Sequence, residues 1–398
     1  DLMIDLVRLS RFAGARVILD RAIGIDRAAR QVHLAGRPPL PYDLASIDVG
    51  ITSDLPGLPG TADHAIAAKP LGRYARAWEA FVAAPPANPR VVILGAGLGG
   101  VELALASAHR LREVGQAGSV TLLDQAADFL PGLGPSARRL LKQQLQSAGV
   151  TLRLGVHTTE LRKTDVLLHT GEEIGSDFTL TATGARPHDW LAGTGLVQKD
   201  GFLITDATLL TSDPLIFAAG DCAGIEGDPR PKAGVFAVRA APILHANLRA
   251  TLTGRPLRAF RPQSDHLKLV SLGGKAALAE KWGFALSGPR FWRLKDRIDR
   301  RFMARFADYP AMAARAVPAE ATAGLAAHLA GRPLCGGCGA KLGPGVLSSA
   351  LEGLPAPVRA EVCSGPGDDA AVLSLGAGVQ VLTTDHLRTF CNDPRLMA

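Results

Sequence analysis

Short apolar runs broken by turn residues fill the chain up to about residue 85. ARVILD (15–20) and QVHLAG (31–36) predict strands with IDRAAR between them, and PYDLASIDVG (41–50) predicts a third, buried strand ending on a glycine. PGLPG (56–60) predicts a loop, and APPANPR (84–90) is a proline-rich break that suits a domain crossing. From residue 91 the pattern changes. VVILGAGLGGVELALASAHRL reads as an apolar strand, a glycine turn and a helix, and SVTLLDQ (119–125) as the next strand. PSARRLLKQQLQSAG (135–149) reads as a helix with proline near its start and glycine at its end. VTLRLG, DVLLHT and FTLTATG follow as strands. The β-α-β-α-β order through residue 155 predicts a parallel, doubly wound α/β sheet.

Beyond residue 190 the pattern is mixed. PLIFAAGDC (214–222) predicts a buried strand ending on an aspartate, residues 233–254 a helix, and residues 266–282 strands around a Gly-Gly pair. FWRLKDRIDRRFMARF has apolar residues at 291, 294, 298, 302 and 306 with Arg and Lys elsewhere, so 290–306 predicts a basic amphipathic helix. Two readings of it stand: a helix lying on an anionic membrane, or one packed on its own domain with a solvated basic face. Residues 307–333 are Ala/Pro-rich and predict a linker, with a new unit from Leu334.

Composition narrows the class. A chain of 398 residues suits two or three domains, and 47% hydrophobic with 20% charged residues is ordinary for a globular protein. The net charge of +7 is mild, comes partly from the 290–305 cluster, and does not imply nucleic acid. No apolar run approaches the ~20 residues of a membrane span. The first residues show no secretory pattern and do not begin with Met, which predicts a fragment. The five cysteines, at 222, 335, 338, 363 and 391, argue against a secreted disulfide framework and for the cytoplasm.

Gly95, Gly97 and Gly100 follow a four-residue apolar strand and open a helix, and Asp124 closes the next strand. That context is what a dinucleotide-binding G-x-G-x-x-G requires. Gly95 allows the tight turn, Gly97 lets backbone approach a pyrophosphate, and Gly100 lets helix and strand pack closely. Asp124 is placed to accept from a ribose 2′-hydroxyl and to repel a 2′-phosphate, which favours NADH over NADPH. Glu102 is expected in the first turn of the helix, either as a carboxylate on the helix dipole or as a group near the nicotinamide. Two strand ends finish on glycine, Gly50 and Gly184. Asp221, delivered with Gly220 by a buried strand, suits hydrogen bonds from a polyol chain; as a residue by itself it also suits a helix N-cap.

GAGLGGVELA, TATGARP and TSDPLIFAAGDCA, in that order and spacing, resemble the two-dinucleotide-binding flavoproteins, and within them type II NADH dehydrogenase. The resemblance spans residues 1 to about 306. It implies an FAD domain (1–86 and 191–306) interrupted by an NAD(H) domain (87–190), with hydride passing from NADH to flavin and on to an acceptor. It implies that Gly50, Gly184, Gly220 and Asp221 are on the FAD side, with Lys232 near the isoalloxazine and Glu102 beside the nicotinamide. The family's first G-x-G-x-x-G, for the FAD pyrophosphate, has no counterpart, so the FAD domain is expected to be incomplete. Cys222 is the one cysteine before residue 307, which excludes a two-cysteine relay there.

The C-terminal piece, LCGGCGAKLGPG, GPGDDAAVLSL and VLTTDHL, admits several readings. Cys335 and Cys338 could form half of a zinc site with Cys363 and Cys391, or a redox pair, and DDAAV could be a turn. A glycine-flanked cysteine near a lysine also suits a nucleophile, and aspartates at strand ends suit Mg²⁺-nucleotide. C-G-A-K, DDAAV and TTD in this order resemble the start of selenophosphate synthetase (selenide, water dikinase), an α+β fold, over residues 334–394. The resemblance implies Cys338 as the selenium-handling cysteine, Lys341 as an essential lysine, Asp369 as a Mg²⁺ ligand, and Asp368 and Asp385 in the ATP site. Where the family often has a second cysteine, two residues after the first, this chain has Ala340.

The expected whole is a fusion of the two enzymes, cut at both ends, using FAD, NADH, ATP and Mg²⁺. Its expected partners are small molecules (NADH, an electron acceptor, selenide) and a second copy in a homodimer. Residues 290–306 would give it a peripheral contact with the inner face of the membrane.

Overall fold

The computed structural model describes residues 4–307 apart from 54, 56 and 264, and beyond them 309, 359–363, 370–375 and 378–383. The chain divides into two compact units, residues 43–302 and residues 1–42 with 303–398.

The second of these opens with helix α1 (Leu6–Ala13), which the Asp5 carboxylate caps and Gly14 (φ +65) ends. Strands β1 (Ala22–Asp26), β2 (Gln31–Leu34) and β3 (Leu40–Pro41) then form an antiparallel sheet. The apolar run 15–20, expected as a strand, is irregular, and the strand lies later, over part of the expected connector. Asp20 is the reason. Its carboxylate accepts from the Arg21 N–H (2.7 Å) and the Gly36 N–H (3.0 Å), tying off the open end of the β1–β2 hairpin.

Unit 43–302 begins with β4 (Ala45–Ile47), α2 (Thr61–His64), β5 (Ala65–Ala67), α3 (Leu71–Ala83) and β6 (Arg90–Leu94). It continues with α4 (Leu98–Glu113), β7 (Ser119–Leu123), α5 (Pro135–Ser147) and β8 (Val150–Arg153). An antiparallel meander, β9 (Thr158–Leu161), β10 (Asp165–Leu168) and β11 (Glu173–Gly175), leads to β12 (Phe178–Thr181). The central sheet is all parallel, in the order β5-β12-β6-β7-β8. Its near-continuous apolar strands are covered on both faces. Val91, Ile93 and Leu122 pack with Val101 and Leu105 of α4 and Leu141 and Leu145 of α5. Val92, Leu94 and Leu123 pack with Leu161, Val166 and Leu168 of the meander. Each such side chain stabilises by about 1.5–3 kcal/mol relative to exposure. The sheet also recruits β5, so it takes in chain from before the expected crossing at 86/87; the AIA triplet pairs with β12 and buries two of its three residues.

The remainder of this unit holds β13 (Gln198–Lys199), β14 (Phe202–Thr205), β15 (Ile216–Ala218), β16 (Ala223–Ile225) and α6 (Gly234–Leu252). β15 pairs in parallel with β4, and Phe217 and Ala219 pack with Ala240 and Leu244 of α6. An antiparallel sheet of β17 (Lys268–Ser271), β18 (Ala277–Lys281) and β19 (Phe284–Gly288) follows, and then helix α7 (Pro289–Ala307). The sequence pattern predicted β17 and β18 but not β19. No residue of α7 is buried. Among the C-terminal described residues, β20 (Ala370–Leu375) and β21 (Gly378–Thr383) form an antiparallel hairpin. No helix among the described residues is long and apolar enough to cross a membrane.

Candidate nucleotide-binding site

The glycine turn between β6 and α4 is fixed by steric limits at two of its glycines. Gly95 has φ +102, a conformation that L side chains rarely adopt, and an added Cβ would lie 2.7 Å from the Ala182 carbonyl. A Cβ on Gly100 would fall onto the Gly95 carbonyl oxygen, whereas Gly97 has open space around it. Gly97 is also the N-cap of α4, with no side-chain cap bond, so the first-turn N–H groups are left for a ligand. Asp124, at the end of β7, ties this turn to the next strand: Oδ2 accepts from the Ala96 N–H (2.6 Å) and Oδ1 from the Ala126 N–H (2.8 Å).

Gly95, Gly97 and Asp124 line a cleft of about 750 Å³ together with Gln125, Thr183 and Gly184. The Thr183 hydroxyl oxygen is buried there without a hydrogen-bond partner among the described residues, as expected of a group that a ligand completes. Gly184 was expected on the FAD side. It lies instead on this cleft, because β12 runs parallel to β6 and its end emerges beside Gly95. Gly50 (φ +70) also has open space around it. The segments after the two glycines meet at a bridge in which Thr52 and Arg186 exchange backbone hydrogen bonds.

Glu102 departs from one of its two expected placements, the first turn of the helix. α4 starts at Leu98, so the carboxylate lies past the first turn, where the dipole acts most strongly. It is not among the residues lining the cleft. Its Oε1 accepts from the Ser271 N–H at 2.7 Å and clamps α4 to β17, and burial pushes its pKa up. Ser271 carries no sequence signal for this role; the clamp exists because the β17–β19 sheet packs on α4.

The second candidate group sits where β15 ends. Gly220 has φ +73 and Asp221 follows in a short turn leading to β16, so Asp221 is not an N-cap. α6 starts only at Gly234, with Ala233 before it. The Asp221 Oδ2 accepts from Lys69 Nζ at 3.2 Å, a contact spanning 152 positions that the sequence did not suggest. Gly220, Asp221 and Lys232 line a cavity of about 700 Å³ with Phe202 and Phe236. Lys232 Nζ donates to the Ala223 carbonyl (2.6 Å) and lies 4.1 Å from the Phe202 ring centre, and burial pushes its pKa down. Asp48, near Gly220, is pushed up by burial. Cys222 is fully buried, its thiol donates to the Ile47 and Ala219 carbonyls, and burial pushes its pKa up. It is poorly suited to act as a thiolate.

Cys338, Lys341, Asp368, Asp369 and Asp385 lie outside the described residues. Of the four cysteines that could form a zinc site only Cys363 is described; it is in no disulfide, its thiol donates to the Glu361 carbonyl (3.8 Å) and its N–H to the Val372 carbonyl. No cluster suited to a metal occurs among the described residues.

Residues 9–241 match the family described as pyridine nucleotide-disulphide oxidoreductase. The chain belongs to this family. Its matched stretch holds a single cysteine, Cys222, so the disulphide of the family's name has no counterpart there. The chain is 36% identical over 219 residues to a nitric oxide reductase FlRd-NAD(+) reductase of Aeromonas hydrophila, covering 52% of each protein. It is 28% identical over 265 residues to the demethylphylloquinone reductase NdbB of Synechocystis sp., covering 64% of this chain and 65% of that protein. The chain thus spans about half the length of the curated relatives it matches first. The fold is similar to that of the sulfide:quinone oxidoreductase of Aquifex aeolicus, with a TM-score of 0.57 at 18% identity over 73% of this chain and 75% of that one.

Proposed function

We propose that unit 43–302 carries an NADH-dependent flavin oxidoreductase, of the kind represented by type II NADH dehydrogenase. The observation that carries this reading is the Gly95–Gly100 turn, tied to Asp124 on the wall of a cleft of about 750 Å³. Asp124 and the free N–H groups of α4 would hold the ribose and pyrophosphate. Gly220, Asp221 and Gly50 would hold FAD, with Lys232 towards its ring; the left-handed glycine and the carboxylate beside a large cavity fit that group. FAD, when bound, would supply a two-electron acceptor for the nicotinamide hydride. The test is reduction of a dye by the FAD-loaded protein with NADH or NADPH. Faster turnover with NADH, lost in Asp221→Ala, is expected; no NADH oxidation at all would overturn the reading.

The physiological acceptor has two candidates of different chemistry. The relative in Aeromonas bears a name with a protein acceptor, and that in Synechocystis a name with a quinone. Comparing a quinone with a small iron–sulfur or rubredoxin-type protein as oxidant decides between them.

For the C-terminal piece we propose selenide, water dikinase chemistry: ATP, selenide and water giving selenophosphate, AMP and phosphate. Its support is the C-G-A-K, DDAAV and TTD sequence pattern. Cys338 would handle selenium, Lys341 would assist, and Asp369 would bind Mg²⁺ with Asp368 and Asp385 near ATP. Selenide-dependent AMP release by the protein as it occurs in the cell, absent in Cys338→Ser, tests this; AMP release unchanged by that substitution would overturn it.

A further inference from the structure

Residues 126–154 carry four Lys and Arg against one acid, Asp128. Within α5 the helical spacing turns Ala137, Leu141 and Leu145 into the core and leaves Arg138, Arg139, Lys142 and Gln146 outside it. Arg153, in β8, pairs with Glu172. The other three cations have no ion pair among the described residues, and Asp128 pairs with none of them. The Arg138 Nε is buried without a hydrogen-bond partner, and Lys142 Nζ lies 5.6 Å from the Phe129 ring centre. Arg138, Arg139 and Lys142 line a groove of about 440 Å³ between α5 and the segment Ala127–Phe129. A further stretch of about 610 Å³ runs between α5 and β8, where Leu145, Leu152 and Leu154 line it. Lys142 and Gln146 line both, so the two form one groove along α5, cationic at one end and apolar at the other.

The apolar end is bounded by a free sheet edge. β8 is the last strand of the central sheet, and among the described residues no strand pairs with it on the side away from β7. The Arg153 carbonyl accepts from the Asp124 N–H (2.9 Å), and the Gly155 N–H donates to the Ala126 carbonyl (3.0 Å). Residues 151, 153 and 155 therefore face β7. Leu152 and Leu154, between them, turn their N–H and C=O groups the other way, on the side of the groove that they line. Edges of this kind are normally blunted by proline, by an outward charge or by a covering segment. VTLRL has no proline, and its one charge is drawn to Glu172 (2.8 Å). The edge is thus open, and unpaired cations stand along its approach.

We propose that the β8 edge and the cations of α5 form a docking groove for an extended acidic segment of another protein, which joins the five-stranded central sheet as an added strand. Main-chain hydrogen bonds to Leu152 and Leu154 supply affinity, and carboxylates of the segment meet Arg138, Arg139 and Lys142. Both ends of the groove select this occupant. A polyphosphate satisfies the cations and leaves the edge unpaired. An apolar strand satisfies the edge and covers the cations without a counter-charge. A nucleic acid strand needs exposed rings to stack on, and Phe129 is 3% exposed. A second copy brings its own cations to the same groove. The proposal does not rest on the electron-transfer reading, since none of these side chains lines the nucleotide cleft or the cavity at Gly220.

The probe is a labelled Glu-Val-Glu-Val-Glu-Val peptide, and the readout is its fluorescence anisotropy with the full chain. Binding is expected, weakened by salt and absent for the Lys-Val counterpart. Arg138→Glu with Arg139→Glu should weaken it at least about tenfold, because two attractions become repulsions; an unchanged Tm shows that this variant folds. A second arm leaves the protein as it is. N-methylation of every valine removes the donors along one edge of the extended peptide, and N-methylation of every glutamate those along the other. One of these forms should lose binding and the other keep it, because a single edge pairs with β8. No binding of the acidic peptide, equal binding by the charge-reversed variant, or indifference to both N-methylated forms overturns the proposal. So does a dimer of the chain that Arg138→Glu with Arg139→Glu dissociates.

Discussion

The two glycine turns of unit 43–302 are built on different principles. At Gly95–Gly100 the backbone does the work: one glycine is left-handed, another has no room for a Cβ, and the neighbouring carboxylate binds backbone N–H groups. At Gly220–Asp221 the glycine is left-handed too (φ +73), but the space around it is larger. A Cβ on Gly220 would find Asp48 Oδ1 no closer than 3.5 Å, and the Asp221 carboxylate is met by Lys69, whose side chain is 47% exposed. A turn held by backbone sterics is written in glycine spacing. One whose carboxylate is met by a distant lysine depends on side chains that the tertiary fold brings from far along the chain.

Substitutions should separate the two turns. Gly100→Val has the largest expected effect. The side chain would overlap the Gly95 carbonyl, costing about 3 kcal/mol or more and removing NADH binding; urea unfolding and NADH titration measure both. Asp221→Ala should reduce FAD retention at least about tenfold, the worth of a hydrogen bond to a charged group, with NADH affinity unchanged. Equal losses of both ligands would mean that the turns are not independent. Asp124→Asn should weaken NADH by up to about tenfold and narrow its advantage over NADPH, since the repulsive charge goes.

Glu102→Gln probes the clamp beside the first turn. Burial raises the Glu102 pKa, so the folded state favours the protonated form. The resulting stability is fully present below the unfolded value of about 4.3 and is lost as pH rises through the folded pKa. Glutamine keeps an oxygen for the Ser271 N–H without the charge. Its Tm should therefore exceed that of the wild type at neutral pH and converge with it towards pH 4. The smallest effect is expected from Lys69→Ala, at most about 1 kcal/mol in unfolding, because the ion pair is partly exposed.

The same contrast explains what could be read from the sequence. The apolar strand, glycine turn, helix and Asp124 were legible because each is a local signal with a fixed spacing. α1 carries local signals in its Asp5 cap and Gly14 stop, whereas β5 and β19 are short pieces whose strand character comes from pairing with β12 and β18. ARVILD has the composition of a strand but lost it to the turn made by Asp20. Lys69 and Ser271 are contacts across 152 and 169 positions, which no local pattern encodes. Gly184 lies beside Gly95 because strand order decides which strand ends meet.

The proposed function has one compact unit bring NADH and a flavin together for hydride transfer. The test is an anaerobic titration of the FAD-loaded protein with NADH, followed through the visible absorption of the flavin. Bleaching in proportion to added NADH, weaker with NADPH and weakened by Asp124→Asn, is the predicted result. A flavin spectrum unchanged while NADH binds would contradict it.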